Sequence, residues 1–256
     1  MGLLSDWYHR LAAGKGDGAE GEDDLVVLVD ASLDPRLVVF HEAHSYQAEQ
    51  YRAFRTNLRA MNTGGDPKSL MFTSTSPNEG KTTTVCNVAL SLAEFAELRV
   101  CLVDMDLRAP SVHGMFGLPR SPGLADVLLD RADPRKALHR VATPNLSVMP
   151  AGRPTDKPNE VLGSEYVLDL VRYLKQDYNY ILIDTPPTQV FADASHIGRI
   201  MDGTVLVVSL GKTLKHQADE SLESLRTGGA IVLGSFVTGT ATAENDEVAE
   251  LYRGGA

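Results

Sequence analysis

The chain has 256 residues, 43% hydrophobic and 23% charged, which suits one α/β domain with a large core, two small domains being the alternative. A formal net charge of −10 gives the surface no overall basic character, and non-specific nucleic-acid binding needs the Lys and Arg that this balance lacks. No apolar run approaches the roughly 18 residues of a membrane span, and the two cysteines, Cys86 and Cys101, have no metal-ligand spacing and read as buried small hydrophobes of a reducing compartment.

The N-terminal stretch MGLLSDWYHRLAAGKG can set Leu3, Leu4, Trp7 and Leu11 on one face, yet it is too short and polar for a signal peptide. It reads as a frayed helix, with a membrane surface or a partner as the alternative contact for that face, before GKGDGAEGEDD (Gly14 to Asp24), an acidic, Gly-rich linker whose composition predicts disorder. Leu25 to Val29 is a short β-type run, and helical periodicity extends from near Ser45 to about Met61. An alternation follows: strand 69–74, helix 81–95, strand 99–104, strand 146–149, helix 164–175, strand 179–184, helix 192–200, strand 203–209, helix 213–226 and strand 230–237. Strands alternating with helices imply a mostly parallel sheet with helices on both faces. Between Ala109 and Asn145 the pattern is less regular, and GLADVLLD predicts short helices beside the site. The expected organisation is an arm over 1–24, a P-loop domain over 25–240 and a tail over 241–256.

Chemistry concentrates in FTSTSPNEGKTTT, Phe72 to Thr84. An apolar strand, a loop ending in Gly-Lys-Thr and a helix are the context in which a phosphate-binding loop works. Backbone amides at the helix start attract anions, and Lys81 adds a point charge at the terminal phosphates. The loop departs from GxxxxGK[ST], with Thr75 where that pattern has Gly, and Asn78 suits a left-handed backbone. VCLVDMDLRAP (Val100 to Pro110) and YILIDTPP (Tyr180 to Pro187) are apolar runs ending in Asp, as expected of buried strands delivering carboxylates at their C-terminal edge. Those oxygens suit Mg²⁺ beside a nucleotide phosphate. The alternative, that Asp104 and Asp184 only cap turns, loses weight when both accompany a P-loop.

Together SPNEGKTT, DMDLRAP and the upstream EQYRAFR resemble the bacterial tyrosine kinases of capsule and exopolysaccharide synthesis, relatives of the MinD/ParA ATPases. The likeness extends over GLADVLLD, LSVMPAGRPTDKPNEVLGS and DTPPTQVFADA, from about Asp34 to Val237. It implies a P-loop fold, ATP and Mg²⁺ as cofactors, and transfer of phosphate to tyrosine. It implies that Pro77, Asn78, Glu79, Gly80 and Lys81 wrap the phosphates, with Thr83 and Arg108 as further nucleotide neighbours. Thr82 ligates Mg²⁺, with Asp184 and Asp104 as carboxylates of the metal site. Asp104 is the expected acceptor of the tyrosine proton, and Asp106 is expected to order metal and loop. For Arg108 a surface ion pair is an equal alternative.

The resemblance also implies that Glu49, Arg52 and Arg55 reach into a neighbouring subunit and build a ring, where spacing alone reads as a solvated helix face. The expected partner is a membrane-spanning polysaccharide co-polymerase that activates a cytoplasmic enzyme at the inner face of the membrane. Two departures matter. The tail TATAENDEVAELYRGGA carries one tyrosine, Tyr252, where the family has a cluster. The last strand ends in Thr238, where an Asn often reads the base, and a hydroxyl cannot pair bidentately with adenine. An ATP-driven assembly switch with little tyrosine phosphorylation is thus the alternative function, and a MinD/ParA-type positioning ATPase a weaker third.

Overall fold

The computed structural model describes residues 26–27 and 33–239, apart from 142, 191 and 192. The arm, the linker and the tail with Tyr252 lie outside the described residues. Eight strands form one sheet: β1 (Val26–Val27), β2 (Lys68–Ser74), β3 (Val100–Asp104), β4 (His139–Val141), β5 (Leu146–Met149), β6 (Tyr180–Asp184), β7 (Gly203–Ser209) and β8 (Val232–Thr238), in the order β1-β4-β5-β3-β6-β2-β7-β8. All pairings are parallel except β4 with β5.

The central strands are largely apolar because both sides are covered. Alternate side chains point to opposite faces. Leu70, Phe72, Val100, Leu102, Tyr180 and Leu182 enter one core, while Met71, Cys101, Val103, Ile181 and Ile183 enter the other. Over the first face lie α1 (Val38–His41), α2 (Tyr46–Ala60) and α3 (Lys81–Ala93). The rim past β3 carries α4 (Val112–Met115) and α5 (Leu124–Asp130), and then come α6 (Pro158–Leu162), α7 (Tyr166–Leu174), α8 (Asp193–Gly198) and α9 (Lys215–Thr227). Ser45 caps α2, its hydroxyl accepting the Ala48 N–H at 3.1 Å.

The mostly parallel P-loop architecture expected from the alternation is the fold observed. Strands 146–149 and 203–209 fall where the sequence put them, and other boundaries shift by a residue or two. The stretch after Ala109 holds the short helices anticipated, together with a strand that was not: β4 is three residues long, too short to set a period. The β-type run near Leu25 pairs at Val26–Val27 with β4, as an edge of the sheet. Cys86 and Cys101 are both buried and reduced, and burial pushes the Cys86 thiol well above its ordinary pKa.

Candidate active site

Three chain segments leave the sheet at one level. Asp104 lies opposite Asp184 in the β3–β6 register, and Asp184 opposite Phe72 in the β6–β2 register. The turns after β2, β3 and β6 therefore meet at the carboxyl edge of adjacent strands, where parallel α/β sheets bind ligands. Between β2 and α3 the chain turns through Asn78 at φ 60° and Gly80 at φ 87°. The first closing bond of the helix runs from Thr84 N–H to Gly80 O at 2.8 Å. The amides of Lys81, Thr82 and Thr83 ahead of it have no intrahelical acceptor, the usual state of a helix start and a ready anion site.

The side chains converge on the same point. Lys81 Nζ lies 2.7 Å from Asp184 Oδ1 and 3.4 Å from Asp106 Oδ2, and the Thr82 hydroxyl donates to Asp184 Oδ2 at 2.7 Å. Lys81 is 8% exposed, Asp106 6%, and Asp104 and Asp184 are fully buried. Burial works against the Lys81 ammonium, but the charges of Asp184 and Asp106 outweigh it and hold its pKa above the ordinary value. Burial raises both inner carboxyls; Asp104 is pushed up to about 8, with the charge of Asp184 adding to the effect.

Asp104, at the end of β3, and Asp106 have different surroundings. Asp104 Oδ1 accepts the Asp106 N–H at 3.1 Å, and Oδ2 accepts the amides of Ser111 and Val112 at 3.2 and 3.1 Å. Both its oxygens accept backbone amides that order the 105–112 turn. Asp106 faces Lys81 through Oδ2 while Oδ1 accepts the Ala109 N–H at 3.0 Å. Thr82 and Asp184 offer a hydroxyl and a carboxylate side by side, the donor set Mg²⁺ takes when phosphate oxygens and waters complete its shell. The described residues hold no group of three or more His, Cys, Asp or Glu arranged for a metal.

The remaining expected residues have varied surroundings. Arg108 hydrogen-bonds Asn159 Oδ1 in α6, and Thr83 sits half-buried in the first turn of α3. Pro77 and Asn78 are exposed at the loop tip, whereas Glu79 is buried. Thr238 does not stand free to meet a base: its hydroxyl donates to Glu79 O at 2.8 Å. Arg52 and Arg55 turn inward within their own chain. The Arg52 guanidinium meets Glu94 at 2.9 and 2.5 Å and Glu49 at 2.5 Å. Arg55, 9% exposed, donates to Ser91 O at 2.5 Å and to Glu94 and lies over the Phe95 ring at 4.5 Å. Sequence reasoning passed over Lys212 and Thr213, which touch the phosphate loop from the turn after β7. No local motif marks them, because the loop they meet is some 130 positions away in the chain.

Comparison with known proteins gives the same direction. An AAA domain family profile matches residues 78–209. The chain is 36% identical over 215 residues to the tyrosine-protein kinase YwqD of Bacillus subtilis (84% of this chain and 90% of that protein), and 33% identical over 187 residues to the tyrosine-protein kinase CpsD of Streptococcus agalactiae (73% and 80%). Among solved structures it resembles the chimerical protein CapA2B2, with TM-score 0.76 and 27% identity over 82% of this chain and 92% of that one. MinD of Pyrococcus horikoshii OT3, solved with Mg-ADP, shares the fold at TM-score 0.59 and 22% identity, over 73% of this chain and 77% of that one. Phosphate loop, aspartate pair, fold and likeness agree: the chain belongs to the bacterial tyrosine-protein kinase family, on the P-loop scaffold that the MinD and ParA ATPases share.

Proposed function

We propose that this chain is an ATP-dependent protein-tyrosine autokinase that regulates capsule or exopolysaccharide polymerisation and export, with residues 25–240 as its catalytic domain. The observation that carries the reading is the meeting of Lys81, Thr82, Asp106 and Asp184 on three adjacent strand ends. MgATP, when bound, would supply the phosphoryl group and the metal's charge. Lys81 would exchange its carboxylate partners for terminal phosphate oxygens, and the helix-start amides would hold the phosphates. Thr82 and Asp184 would hold the metal. Asp106 accepts the proton of the incoming tyrosine hydroxyl, since it is the carboxylate of the pair with an oxygen not spent on the backbone. Phosphoryl transfer asks for positioning and charge neutralisation rather than covalent work by the protein.

Tyr252 is the acceptor candidate, supplied by a second copy in a ring, and a membrane-spanning co-polymerase is the activator. No helix of the described residues is long and apolar enough to cross a membrane. A single tail tyrosine favours the alternative, a nucleotide-driven assembly switch. Intact mass after MgATP, beside a Lys81→Met control and with candidate activators added, separates them. Phosphate on Tyr252, absent from the control, supports the kinase. ATP hydrolysis without tyrosine phosphate, activator present, supports the switch.

A further inference from the structure

Glu79 stands in the middle of the phosphate loop and is only 2% exposed. Its carboxylate is held by two neutral donors, the Thr75 N–H to Oε2 at 2.9 Å and the Thr213 hydroxyl to Oε1 at 2.5 Å. The Thr213 hydroxyl oxygen also accepts the Ser209 N–H at 3.1 Å, which fixes it at the end of β7. Next to it, the exposed Lys212 sends its ammonium to the carbonyls of Asn78 and Pro77, at 2.8 and 3.4 Å. The clasp therefore grips the loop at its tip and at its buried middle, and both grips come from one turn outside the loop.

We propose that Lys212 and Thr213 are positioning residues that hold the phosphate loop in its anion-binding form, Thr213 through Glu79 and Lys212 through the Asn78 carbonyl. The assignment rests on the nucleotide-binding reading of the loop. Its physical basis is twofold. Asn78 occupies a left-handed conformation, which Asn tolerates better than most residues but still at a cost relative to the right-handed regions, and a cation on its carbonyl helps to hold it there. A buried carboxylate deprived of one donor carries an unpaired oxygen and is drawn toward water, which pulls on the loop that carries Glu79 between Asn78 and Gly80. A loop fastened beforehand loses less conformational freedom when phosphate arrives, so the clasp raises affinity without touching the ligand.

The test uses the full chain with Thr213→Val, Thr213→Ser and Lys212→Met. Thr213→Val keeps the shape and removes the donor, Thr213→Ser keeps the donor, and Lys212→Met acts at an exposed side chain that folding does not need. Two readouts are taken: MgADP affinity by calorimetry, and hydrogen exchange of the amides of residues 78–80 without added nucleotide. Thr213→Val is expected to weaken MgADP about tenfold, the equivalent of one hydrogen bond, and Lys212→Met several-fold. Both should speed exchange at 78–80 and leave α7 unchanged, while Thr213→Ser stays near wild type. Wild-type exchange and wild-type affinity in both Thr213→Val and Lys212→Met overturn the proposal, as does a Thr213→Ser variant as impaired as Thr213→Val. If the wild type binds no MgADP, the nucleotide reading falls and the clasp loses its assigned role; binding that is intact and indifferent to the variants removes the clasp alone.

Discussion

Asp104 and Asp106 are two residues apart, yet their surroundings ask different things of them. Asp104 accepts three backbone amides from fully buried oxygens, so an amide in its place sets a donor against donors. Asp104→Asn is expected to destabilise the fold by about 1–3 kcal/mol, the usual size for a buried group left unpaired, with a lower midpoint in denaturant unfolding. Asp106→Asn keeps an oxygen for the Ala109 N–H and should leave the unfolding midpoint close to wild type. It should still bind MgADP and lose tyrosine phosphorylation by a factor of about 10² or more, the range of general-base loss. A fold insensitive to Asp104→Asn, or undiminished phosphorylation in Asp106→Asn, reverses the assignment. Lys81→Met removes the charge opposite Asp184 and Asp106 and should abolish nucleotide turnover. Turnover that persists in that variant would move the site elsewhere.

At the scale of elements, α2 is fastened to the end of α3 by a cluster of charge. Glu94 receives both Arg52 and Arg55, and Arg55 Nε has no partner of its own. Burial works to raise the Glu94 carboxyl, but hydrogen bonds from Arg52 and Arg55 outweigh it and leave its pKa below the ordinary 4.5. A carboxyl depressed in the folded state lends stability above its unfolded pKa and withdraws it as pH falls through the folded value. Unfolding midpoints should therefore drop as pH goes below about 4.5, and Glu94→Gln should flatten that part of the profile. A profile unchanged by Glu94→Gln would show that the cluster contributes nothing. The helix itself was legible from its period and from Ser45, but the destination of its arginines was not. Spacing put Glu49, Arg52 and Arg55 on one face, and only the packing of α2 on α3 shows Glu94, about forty positions on, beneath them. The P-loop and both aspartate strands were legible for the opposite reason, since each is a contiguous run whose apolar pattern and final charge are set locally. Glu79, Thr213 and Thr238 come together from three separate segments, and no period or motif joins them.

For the whole molecule, the inward turn of Arg52 and Arg55 changes how an assembly should be probed. Removing them would disturb the fold as well as any interface. Glu49, with 41% of its side chain exposed, is the member of the motif most open to a neighbour. Glu49→Ala is expected to lower the mass seen by light scattering in MgATP while leaving the thermal midpoint near that of the wild type. Equal masses for the two proteins would place subunit contacts on another surface.

The helix that opens the site has a consequence for how ligand and fold speak to each other. Eleven of the thirteen residues of α3 are buried, and the loop rests on its first turn. Beyond the half-buried Thr82 and Thr83 such a helix has no solvent-facing side along which to fray, so the amides that would grip phosphate open a well-protected unit. Occupancy of the site is then reported everywhere at once: at a concentration of 100 times Kd, a ligand confined to the native state adds about 2.7 kcal/mol to global unfolding. Slow-exchanging amides on the far strands should feel that gain as fully as those beside Lys81.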